Sequence, residues 1–204
     1  MVEKSSIKTR PYDIRWHGRG GQGTVTAAKI VAQAAYFKGY RGVMATPSFG
    51  AERRGAPVSA STRISPEPVM IVSQVEMPTI VVVLDHTLLK YPEVTEGLGK
   101  GGWLVVNSWQ APEELGIKAD FDIATADATG VCRELGLMAS GLAIVNTAIL
   151  GALLHVTKMV DMTSLQRALK ERFSNKDIDV NLTAIMKTYD ITKMKRKDDL
   201  EYDK

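Results

Sequence analysis

Cysteine is almost missing from this chain. Cys132 is the only one in 204 residues, so no intramolecular disulfide can form. A cluster site that takes four thiolates is also beyond this chain alone. The three histidines, His17, His86 and His155, are too dispersed to argue for a metal site. Long apolar runs are lacking too: no stretch approaches the ~18 residues of a membrane span. Residues 1–10 are polar and have no signal-peptide core. A cytoplasmic protein without membrane contact is expected. Charge is nearly balanced, with 26 basic against 23 acidic residues. The one dense basic run, Lys193, Lys195, Arg196 and Lys197, is followed at once by Asp198, Asp199 and Glu201. That is not the broad basic stripe of a nucleic-acid binder. Residues 191–204 read as a solvated charged tail behind a single domain of residues 11–190.

What is present is an alternation of strand and helix patterns. Residues 12–17 predict a strand entering a glycine cluster. A helix with Val25, Ala28, Ala32 and Ala35 on one face follows, stopped at Gly39, since glycine accepts the left-handed conformation. Residues 40–45 predict a second strand. Val58, Ala60, Thr62 and Ile64 alternate with polar residues, the period of a half-exposed strand. The turn Ser65-Pro66-Glu67-Pro68 then predicts a hairpin return over residues 69–72. Residues 79–84, 103–106 and 121–125 read as buried parallel strands, with a helix over residues 88–98 and Cys132 on a short helix as a packed thiol. From Ile144 onward three helices are expected. The sum is an α/β fold: a Rossmann-like, mainly parallel sheet with a β-hairpin insertion and a helical C-terminal layer.

Gly18-Arg19-Gly20-Gly21-Gln22-Gly23 fits G-x-G-x-x-G with a strand before it and a helix after it. In that context glycines allow a tight turn and close approach of backbone to an anion, which the helix N–H groups and dipole then face. Close strand–helix packing explains the same glycines without a ligand. An acid that binds a dinucleotide ribose belongs at the end of the second strand, ~20 residues on. Arg41 to Pro47 offer none. The loop suits a phosphate-bearing ligand other than NAD, and NADP stays open.

Residues 47–58, Pro-Ser-Phe-Gly-Ala-Glu-Arg-Arg-Gly-Ala-Pro-Val, form the most unusual stretch. Prolines and glycines bracket Glu52, Arg53 and Arg54, and stiff loops of this kind hold guanidinium forks where they meet phosphate or carboxylate. An internal Glu52–arginine pair is the plainer reading and accounts for one of the two. With residues 15–23, this stretch closely resembles the gamma subunits of 2-oxoacid:ferredoxin oxidoreductases, the pyruvate and ketoisovalerate type. The resemblance continues through residues 82–85, 104–107 and 146–153 and covers residues 12–189.

The resemblance implies oxidative decarboxylation of a 2-oxoacid to an acyl-CoA and CO2. It implies thiamine diphosphate and iron–sulfur clusters on alpha, beta and ferredoxin-like delta subunits, and ferredoxin as acceptor. The lone cysteine and the absence of a Gly-Asp-Gly thiamine motif agree that this chain is a non-cluster subunit, inactive alone. By the same resemblance, Arg19, Gly20, Gly21, Gln22, Gly23 and Asn146 are candidates for coenzyme A contacts, with Gly20 to Gly23 and Asn146 at its nucleotide end. Phe49, Glu52, Arg53 and Arg54 are candidates for an active-site or interface loop. No residue is assigned to catalysis. Thr147-Ala148-Ile149 departs from the proline–methionine pair of many relatives, which leaves the substrate acid open. The alternative is a stand-alone NADP-dependent reductase or nucleotide-binding regulator on the same frame. His17 reads as orienting the loop, Asp85 as a helix cap, and His155 as a packed residue.

Overall fold

The computed structural model describes residues 11–48, 55–69 and 75–197. Strand β1 (Tyr12–Arg19) leads through the glycine turn into helix α1 (Thr24–Lys38), which Gly39 closes in the left-handed conformation. Alternation along β1 sends Ile14 and Trp16 into the core and Asp13, Arg15 and His17 to the opposite face. Strands β2 (Gly42–Pro47) and β3 (Pro57–Ser65) form an antiparallel hairpin, and β3 pairs antiparallel with β1 on its other side. One buried hydroxyl ties these elements together: Thr62 Oγ1 accepts from Trp16 Nε1 at 3.0 Å and donates to the Ala28 carbonyl at 3.1 Å.

Strands β4 (Ile80–Val83), β5 (Trp103–Asn107) and β6 (Asp122–Ala126) follow parallel to β1, as their β-branched runs predict. Helix α2 (Ala128–Glu134) carries Cys132, and a small hairpin joins β7 (Met138–Ala139) to β8 (Leu142–Ala143). Helices α3 (Val145–Val156), α4 (Met162–Lys170) and α5 (Asn175–Asp190) then pack with α1 on one face of the sheet. Strand β9 (Lys193–Lys195) closes the order β2-β3-β1-β4-β5-β6-β9. The second face over β4, β5 and β6 is covered by Leu88, Val94 and Leu98 from short turns. No helix among the described residues is long and apolar enough to cross a membrane.

Three expectations need correction. The helix expected over residues 88–98 is two 3₁₀ turns, His86–Lys90 and Pro92–Val94. Proline disfavours helical backbone in the residue before it, and Tyr91 is extended at φ −96°, ψ 116°. The hairpin uses β2 rather than residues 69–72 as the partner of β3. Over Ala60–Ile64 both edges of β3 are occupied, by β2 and by β1, so a third strand has no edge to join. Residues 70–72 lie outside the described residues. Finally, the charged run does not all trail into solvent. Lys193–Lys195 pair antiparallel with β6, and the Lys197 N–H donates to Asp122 Oδ1 at 3.0 Å. Lysines suit such a position, because charged side chains protect an exposed sheet edge from further pairing.

Candidate functional site

The glycine turn lies at the carboxyl edge of the parallel strands and is held by its own backbone. The Gly20 N–H donates to Ala56 O at 2.8 Å, Gly55 N–H to Gly20 O at 3.1 Å, and Gln22 N–H to Arg19 O at 3.0 Å. Gln22 Oε1 accepts from the Arg19 N–H at 2.8 Å, which closes the turn from inside. The Arg19 guanidinium reaches three acceptors: Asp85 Oδ2 at 2.6 Å, Thr87 Oγ1 at 2.7 Å and Gly55 O at 3.1 Å. The turn is therefore bolted to the end of β4 and to the start of β3.

Asp85 has two duties. It caps the first 3₁₀ turn by accepting from the Thr87 N–H at 3.0 Å, and it pairs with Arg19. Burial alone would raise its pKa, but the hydrogen bonds from Thr87 and Arg19 and the Arg19 charge together hold it below the ordinary value. The expected cap is present, and the ion pair is what the sequence did not reveal.

Gly23 has φ +78°, and a Cβ built there would lie 2.5 Å from Asn146 Nδ2. The turn, α1 and the start of α3 meet at this contact, so two candidates 123 positions apart in sequence share one spot (146 − 23). Asn146 Oδ1 accepts from the Thr147 N–H at 2.8 Å and is buried.

Above the turn is an open cavity of about 490 Å³. Its polar end is Arg19, Gly20, Gly21 and the first turn of α1; its apolar walls are Val25, Val58 and Leu142. Among the described residues, the N–H groups of Thr24, Val25 and Thr26 meet no acceptor, as expected of a helix start that faces an anion. Ala139, Ser140 and Leu142 come from the β7–β8 hairpin, which sequence reasoning missed. Its signal was the Ser140-Gly141 pair: both have positive φ, 49° and 79°, the requirement of a type I′ turn.

His17 does not reach this cavity. Its ring is on the other face of the sheet, beside Pro57, Val58, Ser59 and Leu88. Burial, with a smaller contribution from Arg15, lowers its pKa to about 4, so the ring is neutral near pH 7. Cys132 Sγ donates to Ile144 O at 3.4 Å, and burial, then the Asp127 charge, pushes the thiol up to about 11. It is the packed thiol expected. The His155 Nδ1–H donates to Tyr189 O at 2.8 Å and its ring packs on Tyr189. Phe49, Glu52, Arg53 and Arg54 lie outside the described residues. The chain on either side is fixed: Ser48 N–H donates to Ser59 O at 3.0 Å, and Gly55 is hydrogen-bonded to Gly20 and Arg19.

The topology bears on the ligand. A dinucleotide fold puts the ribose-binding acid at the end of the strand beside β1. Here antiparallel β3 occupies that place, and β2 lies one strand further out.

The sheet and its glycine turn define an α/β domain of the kind that holds ligands at the carboxyl edge of its strands. The family model for pyruvate ferredoxin/flavodoxin oxidoreductase matches residues 13–191, and the chain belongs to that family. The pyruvate/ketoisovalerate oxidoreductases common subunit gamma of Thermococcus kodakarensis is 49% identical over 165 residues, covering 79% of this chain and 86% of that one. The subunit of the same name from Pyrococcus furiosus is 43% identical over 185 residues, covering 89% and 97%. The crystal structure of pyruvate oxidoreductase subunit PORC from Thermotoga maritima superposes with a TM-score of 0.79 at 35% identity, covering 92% of this chain and 99% of that one.

Proposed function

We propose that this chain is the non-cluster gamma subunit of a multi-subunit 2-oxoacid:ferredoxin oxidoreductase. In that role it helps bind coenzyme A and completes an active site whose thiamine diphosphate and iron–sulfur clusters belong to alpha, beta and ferredoxin-like delta subunits. Ferredoxin takes the electrons. The family and the near full-length match to gamma subunits support the assignment. The observation that carries the coenzyme A reading is the cavity over the glycine turn, where a helix start whose first N–H groups meet no acceptor among the described residues lies beside apolar walls. A phosphate joined to a flexible organic chain matches both halves. The antiparallel strand beside β1 disfavours the NADP alternative.

Among the described residues no group of three or more His, Cys, Asp or Glu could hold a metal, and the Cys132 thiol is engaged with a carbonyl. The test is reconstitution with Gly21→Val. A Cβ at Gly21 meets nothing within 4 Å, but Gly21 holds φ +97°, where a branched residue strains the backbone, so the variant disturbs the shape of the turn and its thermal midpoint is read beside the KM. The KM for coenzyme A should rise about tenfold or more, about 1.4 kcal/mol, with thiamine diphosphate binding by the partners retained. The chain alone, given pyruvate, thiamine diphosphate and an artificial acceptor, should turn nothing over. Unchanged coenzyme A dependence would leave the turn as a packing device, and turnover by the isolated chain would end the subunit reading.

Phe49, Glu52, Arg53 and Arg54 are proposed to meet the partner subunits beside the cavity. The support is the fixed flank at Gly55 and Ala56, hydrogen-bonded to the glycine turn. Truncating one partner of a buried interfacial charge pair costs about 2–5 kcal/mol, and a rim charge far less. Arg53→Ala and Arg54→Ala should therefore differ, one reducing assembly or acyl-CoA formation at least about tenfold. Two variants that assemble and turn over like wild type would make this an ordinary surface loop.

A further inference from the structure

Pairing of β9 with β6 fixes basic residues that would otherwise trail in solvent, and it fixes them around a second cavity. This cavity measures about 520 Å³ and lies at the start of β6, on the amino edge of the sheet. Ile117, Phe121 and Ile123 form its apolar wall, and Lys118, Lys195 and Lys197 its basic side. Lys197 is already engaged. Its Nζ bonds to Asp120, and its N–H donates to Asp122 Oδ1 at 3.0 Å. The bond and charge of Lys197, with a smaller contribution from Lys100, hold the exposed Asp120 carboxyl below its ordinary range. Lys118 and Lys195 have no ion pair or hydrogen bond among the described residues, although Lys195 is half-buried.

Protection of a sheet edge accounts for charge on β9. It does not account for Lys118, which precedes β6 and lines the same hollow. Two cations from separate parts of the chain thus meet beside an apolar wall with no counter-charge of their own. The location decides between a small ligand and a partner chain. Open α/β sheets hold ligands at the carboxyl ends of their strands, where the glycine turn lies. This hollow is at the opposite edge and beside the outermost strand pair. An apolar floor ringed by charge is the anatomy of a protein interface, with an apolar centre and a polar rim.

We propose that this hollow is a docking surface for an acidic segment of a neighbouring subunit. The segment places an apolar side chain against Phe121 and carboxylates opposite Lys118 and Lys195, so that charges of opposite sign meet across the contact. This rests on the reading of the chain as one subunit of a larger enzyme. It adds the charge of the partner and the edge of the sheet that the partner takes.

The test is charge reversal, read as affinity of the full chain for the other purified subunits without ferredoxin present. Lys118→Glu with Lys195→Glu breaks no ion pair within the described residues, so the thermal midpoint should stay within about 2 °C of wild type. Affinity for the partner subunits, measured by interferometry at low salt, should fall about tenfold or more. The gap should narrow in about 1 M salt, where the screening length is about 3 Å. Lys158→Glu with Lys170→Glu makes the same change of net charge at exposed positions of the helical layer, and affinity should stay within about twofold of wild type. A photocrosslinker attached through Lys118→Cys should capture a partner segment rich in Asp and Glu. Changing those acids to lysine should restore the affinity of the double variant. Wild-type affinity in the double variant would overturn the proposal, and so would an equal loss in the Lys158 and Lys170 pair. Capture of residues 198–204 of the same chain, which include Asp198, Asp199, Glu201 and Asp203, would also overturn it, because the counter-charge is then internal. The two levels separate on the wild type. A wild-type chain that binds none of the other subunits ends the subunit reading, whereas assembly indifferent to charge at this hollow ends only the docking surface.

Discussion

Gly23→Ala should be among the most damaging single-methyl changes in the chain, lowering stability by about 3 kcal/mol. Two costs add. Gly23 holds φ +78°, a left-handed conformation that costs a residue with a Cβ about 1–2 kcal/mol. The new Cβ would also lie 2.5 Å from Asn146 Nδ2 and 2.9 Å from Asn146 Cβ and Cγ. Asn146 is 6% exposed and fixed by its bond to the Thr147 N–H, so it cannot retreat without moving the start of α3. At about 2–4 °C per kcal/mol for a chain of this size, the thermal midpoint should fall by about 6–12 °C. Coenzyme A use by the reconstituted complex should fall with it, because α1 and its free N–H groups shift against the turn. A double-mutant cycle apportions the two costs. Asn146→Ala removes the Nδ2 and Cγ atoms, so Gly23→Ala should cost less in that background and still retain its conformational part. An identical penalty in both backgrounds would show that the Asn146 amide contributes nothing, since alanine keeps the Cβ 2.9 Å away.

Why that contact escaped sequence reasoning is instructive. The local signals worked where the physics is local. The run of β4 is buried at every position, and Gly39 caps α1 in the left-handed conformation its type predicts. The glycine spacing told where the turn is, but not that Arg19 and Gln22 are occupied in building it. That pairing depends on Asp85, 66 positions away, which local periodicity cannot see. The same holds for β3. Its alternation predicted a strand, but only long-range register decides that it sits between β1 and β2. Lys193–Lys195 read as tail because three residues with two charges carry no strand signal, and only the unpaired edge of β6 makes them one. The β7–β8 hairpin is two residues on each side, too short for a period, and only its turn residues announced it. At residues 88–98 a better reading was available locally, since Pro92 disfavours helical backbone at Tyr91.

Arg19→Ala tests whether the turn and the end of β4 act as one unit. The Arg19 and Asp85 side chains are 28% and 18% exposed, intermediate between a surface pair worth little and a buried one whose rupture costs several kcal/mol. Three acceptors lose their donor at once: Asp85, Thr87 and the Gly55 carbonyl. A loss of about 2 kcal/mol is expected, read as a fall of about 4–8 °C in thermal midpoint. Arg19→Lys should recover little of it, because one ammonium cannot reproduce a planar fork that meets three acceptors. The pH dependence has a definite sign. Asp85 titrates below its ordinary 3.8 in the folded chain, so its ionised form stabilises the fold above that value. The contribution is lost as pH falls through the depressed folded pKa. The gap between wild type and Arg19→Ala should thus be full at pH 7 and narrow once the pH drops below about 4. It should also shrink only modestly in 1 M salt, because partly buried pairs are screened less than exposed ones. Gly55 is the described residue at which the segment containing Arg53 and Arg54 rejoins the sheet, and Arg19 holds its carbonyl. Freeing it should lower assembly with the partner subunits along with stability. An Arg19→Ala variant that is less stable but assembles and uses coenzyme A normally would confine Arg19 to the fold and disconnect it from the interface.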